Sequence, residues 1–523
     1  MSLSSKSLIL LRQKITEGLR IQRDTSDTVE YIDASNVVGD ICARQNHTVF
    51  ARRGCGKTLL LHHSSHALAK TPVRTVYLNC EDFKRHSFPN VLIEILDALF
   101  REIEKHLSGW FGKKKKSKEL VRKIRDDLAK LRSSADVHEE KVRQLSAAEE
   151  SAAVENSLGA SLSVLEVKTG SALTATARNE TERTFRRRSE KLRELDSWLP
   201  RLKEQVREFF EASTSVTAVF LQIDDLYHLK KSDQPFVVDY IHRLCKDVPL
   251  YFKIATLRHA SSLYVDLDGQ PIGAQERHDY QPINIDYTFS DFARTRNQNR
   301  DIFYEFAKSA GITKAEFDSL FKGAGFDRLV MAGGGVPRDT LSLFLEVLAT
   351  VKSQGGEKIG KDDVRVISKS NFEKRIGELK QDSEGGEQDV LMRGIFVLRE
   401  FCLSRETNAF LVREKELQQN DGYRLLIYRL LDYRIIHSAA SALTHKSQPG
   451  TYQAFVVDIG CYAHLRKLDG RFNEVDVSAQ ETKERLRSAP IFEYSNFNSS
   501  LKSAPSNVED ALLGAGPDES DLG

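Results

Sequence analysis

The segment ARRGCGKT (51–58) constrains the fold more than any other stretch of the chain. It follows the apolar run HTVFA (47–51) and opens the helical run KTLLLHHSSHALAK. A Gly-rich turn between a strand and a helix lets successive backbone N–H groups converge on phosphate oxygens, because Gly54 and Gly56 tolerate left-handed backbone. The N-terminus of the following helix adds the positive end of its dipole. Cys55 completes the turn between the two glycines. Lys57 then reaches the β- and γ-phosphates of a nucleotide, and Thr58 offers a hydroxyl to Mg2+. Ala51 stands where a glycine is usual, but the amides that face phosphate come later in the loop.

Further strand-like runs follow: VRTVYLNC (73–80), TAVFLQIDD (217–225) and PLYFKIATL (249–257), with helical spacing between them. This alternation predicts an α/β fold with a parallel sheet covered on both faces. The carboxylates of Asp224 and Asp225 close an apolar strand, at the edge where such sheets bind ligands. Asp224 is placed to hold Mg2+ through water, and Asp225 to orient or deprotonate an attacking water. Alone, the pair would also serve as a helix cap. Thr256 and Arg258 end the next strand, where a hydroxyl can sense a γ-phosphate and a cation can stabilise a transferred phosphoryl, although polar residues there equally suit a solvated strand end. In GGGVPRDTL (333–341), Pro337 suits a first helical turn and Arg338 projects near the helix start. A cation there opposes the helix dipole, which is easier to understand if Arg338 answers a phosphate.

Totals narrow the class. The net charge of +2 announces no global field for nucleic acid or membrane, so any basic surface is local. Six scattered cysteines without a C-x-x-C pair argue against a zinc site and a disulfide framework, and for a reduced, cytoplasmic setting. No apolar run is long enough to span a bilayer. Residues 1–46 read as an N-terminal helical segment and 47–290 as the nucleotide domain, with a charged helical insertion at 105–213. The insertion reads as a solvated hairpin, although Lys113–Lys116 and Arg186–Arg188 could touch phosphate backbones. A helical lid and linker follow at 291–385, then a compact unit at 390–470 ending in two strand-like runs, the outline of a winged helix. His445 and Lys446 give its wing a thin basic footprint. The polar tail 497–523 reads as disordered.

Taken in order, GCGKT, an apolar strand ending in Asp224–Asp225, a strand ending in Thr256, and GVPR with Arg338 resemble the AAA+/STAND P-loop ATPases, closest to the origin-recognition-complex-like branch with its bacterial relatives. The resemblance implies an ATP- and Mg2+-dependent ATPase in which Lys57 and Thr58 match Walker A, Asp224 and Asp225 Walker B, Thr256 sensor 1 and Arg338 sensor 2. Tyr31 and Ile32 fall where relatives contact adenine. The family takes an arginine finger from a neighbouring subunit; Arg258, Arg277, Arg294 and Arg296 are candidates here. Two roles follow from it. One is a nucleotide-gated switch that self-associates with ATP, as in bacterial anti-phage defence, and signals to an effector protein encoded nearby. The other is a DNA-binding or DNA-loading ATPase. Lys57 and the helix N-terminus favour a Cys55 thiol with a lowered pKa, shielded by bound nucleotide, and the equal alternative is an inert cysteine that serves only as a small loop residue.

Overall fold

The computed structural model describes residues 5–19, 31–33, 36–84, 86, 88–106, 113–133, 190–213, 215–383, 385–462, 472–479, 481–505 and 507–513. Five parallel strands form the central sheet: β1 (His47–Phe50), β2 (Val73–Asn79), β3 (Ala218–Asp224), β4 (Leu250–Thr256) and β7 (Gln281–Asn284). Their spatial order is β2-β3-β4-β1-β7. All seven residues of β3 are buried, as a strand covered on both faces requires. Register sets the functional edge. Phe50 at the end of β1 pairs with Thr256 on one side and Asn284 on the other, while Asn79 pairs with Asp224. A small antiparallel hairpin, β5 (Tyr264–Leu267) and β6 (Gln270–Gly273), lies between β4 and β7 in the chain.

Helices α1 (Ser5–Gly18), α2 (Val37–Ile41) and α3 (Lys57–Leu68) come first in the chain. The carboxylate of Asp33 accepts from the N–H groups of Val37 and Val38 at 2.7 and 3.0 Å and so caps α2. The inserted region is built on α4 (Asn90–His106), α5 (Lys113–Ser133) and α6 (Glu190–Ala212), followed by α7 (Gln234–Cys245). The described helices of the insertion are not merely solvated. Val121, Ile124 and Leu128 of α5 and Leu195, Leu202 and Val206 of α6 are buried in one core with α4 and β3. Arg125 fastens the layer through Asp97 at 2.9 Å and Glu104 at 2.7 Å. Arg186–Arg188 and the side chains of Lys113 and Lys114 lie outside the described residues.

The lid comprises α8 (Phe292–Ser309), α9 (Lys314–Asp318), α10 (Gly325–Ala332), α11 (Pro337–Ser353) and α12 (Lys361–Asp382). The last unit runs α13 (Gly385–Leu403), β8 (Ala409–Arg413), α14 (Glu414–Gln419), α15 (Asp421–Asp432), β9 (Ile436–Thr444) and β10 (Thr451–Val457). Its three strands form an antiparallel sheet in the order β8-β10-β9. Lid and last unit share one continuous apolar core, which also takes in Leu8, Leu11 and Ile15 of α1. The Gly-rich linkers are accordingly short joints between packed helices. One expectation fails here. The segment from 497 carries two helices, α17 (Tyr494–Ser503) and α18 (Val508–Leu513), which come after α16 (Thr482–Leu486). Leu501, Val508 and Leu512 are buried against the last unit, and Arg399 donates to the Ala511 carbonyl at 2.8 Å. Residues 514–523 of that tail lie outside the described residues.

Candidate nucleotide site

The phosphate loop turns as its glycines predict, with φ of 82° at Gly54 and 91° at Gly56. Gly54 is also required for space. A Cβ there would meet the Cβ of Arg338 at 2.8 Å and Val336 at 2.9 Å. The N–H of Arg338 donates to the Gly54 carbonyl at 3.3 Å. The start of α11 is thus seated on the loop, which brings the backbone and Cβ of Arg338 beside Gly54. Tyr31 lies over the loop from the other side, 3.8 Å from where a Cβ on Gly56 would stand, and packs on the apolar cluster of Val37, Leu60 and Val336. Ile32, next in the chain, is half-buried.

Lys57 opens α3 and is buried, with Nζ donating to the carbonyls of Ala51 at 3.0 Å and Arg52 at 3.3 Å. Burial holds its pKa below the ordinary lysine value, opposed by Asp225, Cys55 and Asp224. Asp224 ends β3 with a buried carboxylate, which accepts from Tyr77 Oη at 2.8 Å and from the N–H of Asp225 at 2.9 Å, with the Thr58 hydroxyl beside it favouring its charged form. Burial first, and Asp225 second, push its pKa up to about 6. Asp225 is less buried and takes left-handed backbone, φ 53°, at the turn out of the sheet. Thr58 and Asp224 supply the hard oxygens that suit Mg2+, an ion that keeps several waters and takes few protein ligands. Among the described residues no group of three or more His, Cys, Asp or Glu side chains could hold a metal.

Thr256 is fully buried, and its hydroxyl is hydrogen-bonded to that of Ser261. Arg258 is in an ion pair with Glu276 at 3.0 Å and lies over the ring of Phe50. Arg294 lies over the ring of Tyr287 and Arg296 is 3.7 Å from Asp327. The backbone at Arg277 is left-handed, φ 68°.

Four residues that sequence reasoning missed define the surroundings. Asp286, just beyond β7, grips the phosphate loop. It accepts from the Arg52 backbone N–H at 3.1 Å and from the Arg52 guanidinium at 2.8 Å through each oxygen. Tyr77 holds Asp224. His437 of β9 stands 3.4 Å from Arg52 Nη1 and 3.0 Å from Asp458. Since a guanidinium only donates, Nδ1 of His437 is the acceptor and Nε2–H donates to Asp458. Burial pushes the His437 pKa down to about 4, in keeping with a neutral ring. Asp432 at the end of α15 accepts from the backbone N–H groups of His259 at 3.0 Å and Ala260 at 2.7 Å. A polar residue just past a strand was the only signal for Asp286; nothing local marks the others.

Cys55 corrects the sequence expectation. Its thiol is buried and donates to Asp286 at 3.6 Å. Burial, then the Asp286 charge, drive its pKa well above the ordinary thiol value, outweighing Arg52 and Lys57. Maleimide mapping by mass spectrometry is expected to label half-buried Cys42 first, and Cys55 as slowly as buried Cys245 and Cys461, with or without Mg·ATP. Rapid labelling of Cys55 in the nucleotide-free protein would restore the discarded reading.

A parallel sheet in this order, with a Gly-rich loop after β1, between β4 and β7, and a helical lid seated on that loop, is the P-loop nucleoside-triphosphatase fold. No protein-family model matches the chain, and no curated protein matches it. Solved structures align along most of its length, but loosely. The Aeropyrum pernix ORC2 protein in ADPNP–ADP complexes shares 11% identity over 96% of this chain and 95% of its own, at a TM-score of 0.34. Cdc6p from Pyrobaculum aerophilum shares 12% over 88% and 96%, at 0.32. A Walker-type ATPase of Pyrococcus abyssi shares 12% over 84% and 97%, at 0.36. At these values the chemistry of the site rests on its own geometry.

Proposed function

We propose that this chain is a Mg2+-dependent AAA+/STAND-type ATPase that works as a switch, in which nucleotide controls the docking of the C-terminal unit. Lys57 exchanges two loop carbonyls for phosphate oxygens, and Thr58 and Asp224 hold Mg2+. Asp225 positions the attacking water, and Arg338 steadies the phosphoryl charge from the lid. Held there, a magnesium ion would supply neutralisation of the phosphate charge. Tyr31 offers a flat apolar face for the base.

The observation that carries the switch reading is a clamp at two points around the phosphate site. On the loop side, Arg52 meets His437, which Asp458 orients. On the strand side, Asp432 caps the His259 and Ala260 amides, and Tyr428 stacks on His259 with ring centroids 4.4 Å apart. If the last unit is a winged helix, α15 is the helix it would present to DNA, and here that helix faces the nucleotide domain. In the wing, Lys446 is 3.6 Å from Glu484 and the His445 ring accepts from the N–H groups of Ser447 and Gln448. These contacts favour the switch over the DNA-loading alternative. By the same resemblance, the released form self-associates and signals to an effector protein, as in bacterial anti-phage defence.

Hydrogen exchange and mass photometry with Mg·ATP or ADP test this. ATP is expected to expose the His259 and Ala260 amides and to raise the mass. Asp432→Ala should self-associate at lower ATP. A monomer with equally protected amides in every nucleotide state would refute the switch. DNA binding at low salt that Asp432→Ala strengthens would favour the alternative.

A further inference from the structure

The geometry points to Tyr77 as a positioning residue for the magnesium carboxylate: its phenol locks Asp224 in the one orientation that leaves an acceptor free for a metal-bound water. This rests on the Mg·ATP reading of the site. A carboxylate offers about four acceptor positions. In Asp224 one is taken by Tyr77 Oη at 2.8 Å and one by the N–H of Asp225 at 2.9 Å, and the Thr58 hydroxyl lies close enough to favour the charged form. Tyr77 is held in turn. It sits two residues before the end of β2, where Asn79 pairs with Asp224, and its ring lies against His62 of α3 at 4.6 Å between centroids. The strand fixes the height of the phenol, and the helix that begins with Lys57 fixes its tilt. Without the hydroxyl, the Asp224 side chain loses a charge-assisted bond and can turn about its terminal torsion, which is broad for an aspartate.

Tyr77→Phe removes only the oxygen and keeps the ring against His62. Binding of a fluorescent ATP analogue would be measured with and without Mg2+, across a Mg2+ titration. The variant is expected to need roughly tenfold more Mg2+ for half its effect, the worth of one hydrogen bond to a charged group. Its affinity for the metal-free nucleotide should be unchanged; a variant that only loosened β2 would weaken both. An unchanged or lowered Mg2+ requirement in Tyr77→Phe, beside a Mg2+-dependent wild type, overturns the role of Tyr77 alone. A wild type that binds nucleotide with no response to Mg2+ overturns the metal site itself, and this role with it.

Discussion

Arg375→Ala is expected to lower folding stability by about 3–5 kcal/mol, the cost of stranding buried carboxylates. Arg375 is only 1% exposed. Its guanidinium pairs with Asp458 and lies 3.0 Å from Asp339, and it also donates to the Arg434 carbonyl at 3.0 Å and the Ala332 carbonyl at 3.3 Å. Arg434, equally buried, reaches the same Asp339 at 2.9 Å and pairs with Glu378. With Arg375 gone, Asp458 keeps only His437 among its cationic or donor side chains. Urea unfolding of both proteins measures the difference, and a loss below about 1 kcal/mol would show that water or a rearranged neighbour replaces the guanidinium. The acid dependence has a definite sign. Burial raises the Asp458 pKa, but Arg375 and His437 outweigh it and hold it below the ordinary value of 3.8. A depressed folded value means stability that is present above 3.8 and lost as pH falls further, so the gap between wild type and variant should narrow there. His437 adds an earlier loss. Its folded pKa of about 4 lies below the ordinary 6.5, so the unfolded chain binds the extra proton between those values.

Lys57→Ala is expected to weaken Mg·ATP binding by about 1.5–3 kcal/mol, roughly one to two decades in affinity. The effect stays in that range because Lys57 does not arrive unpartnered: it gives up the Ala51 and Arg52 carbonyls to reach phosphate. Removing it also relieves a buried, desolvated ammonium, so the variant should fold. Calorimetry with the wild type and Lys57→Ala decides the matter, and equal affinities would sink the phosphate-loop assignment.

What the sequence revealed was local chemistry. Gly54 and Gly56 announce left-handed backbone, Asp224 and Asp225 announce a strand tip, and Pro337 announces the start of a helix carrying Arg338. Each signal fits within a few residues. What stayed hidden were partners joined across the chain. Arg52 meets Asp286 at a separation of 234 residues and His437 at 385, and no periodicity encodes such pairings. Cys55 shows the same limit with a reversed sign. Its neighbours in sequence favour a thiolate, whereas its neighbours in space, Asp286 and the wall of the site, forbid one. Polar composition misled in the tail, where Leu501, Val508 and Leu512 suffice to dock two short helices. The short strand β8, AFLVR, was overlooked because five residues between helices carry too little pattern.

Helix α11 carries adjacent residues with opposite loyalties. Arg338 abuts the phosphate loop, while Asp339 is tied to Arg375 and Arg434. Its 17 residues make a rod about 26 Å long. Both residues sit at one end, so that end is a fulcrum. A tilt of only about 5° there sweeps the far end through about 2 Å, the scale of an allosteric helix shift. The far end is not free to follow alone, because Phe344, Val347 and Val351 are embedded in the core shared with α1 and the last unit. Any pull on Arg338 would therefore have to move the rod together with the core it is embedded in, not bend its far end alone.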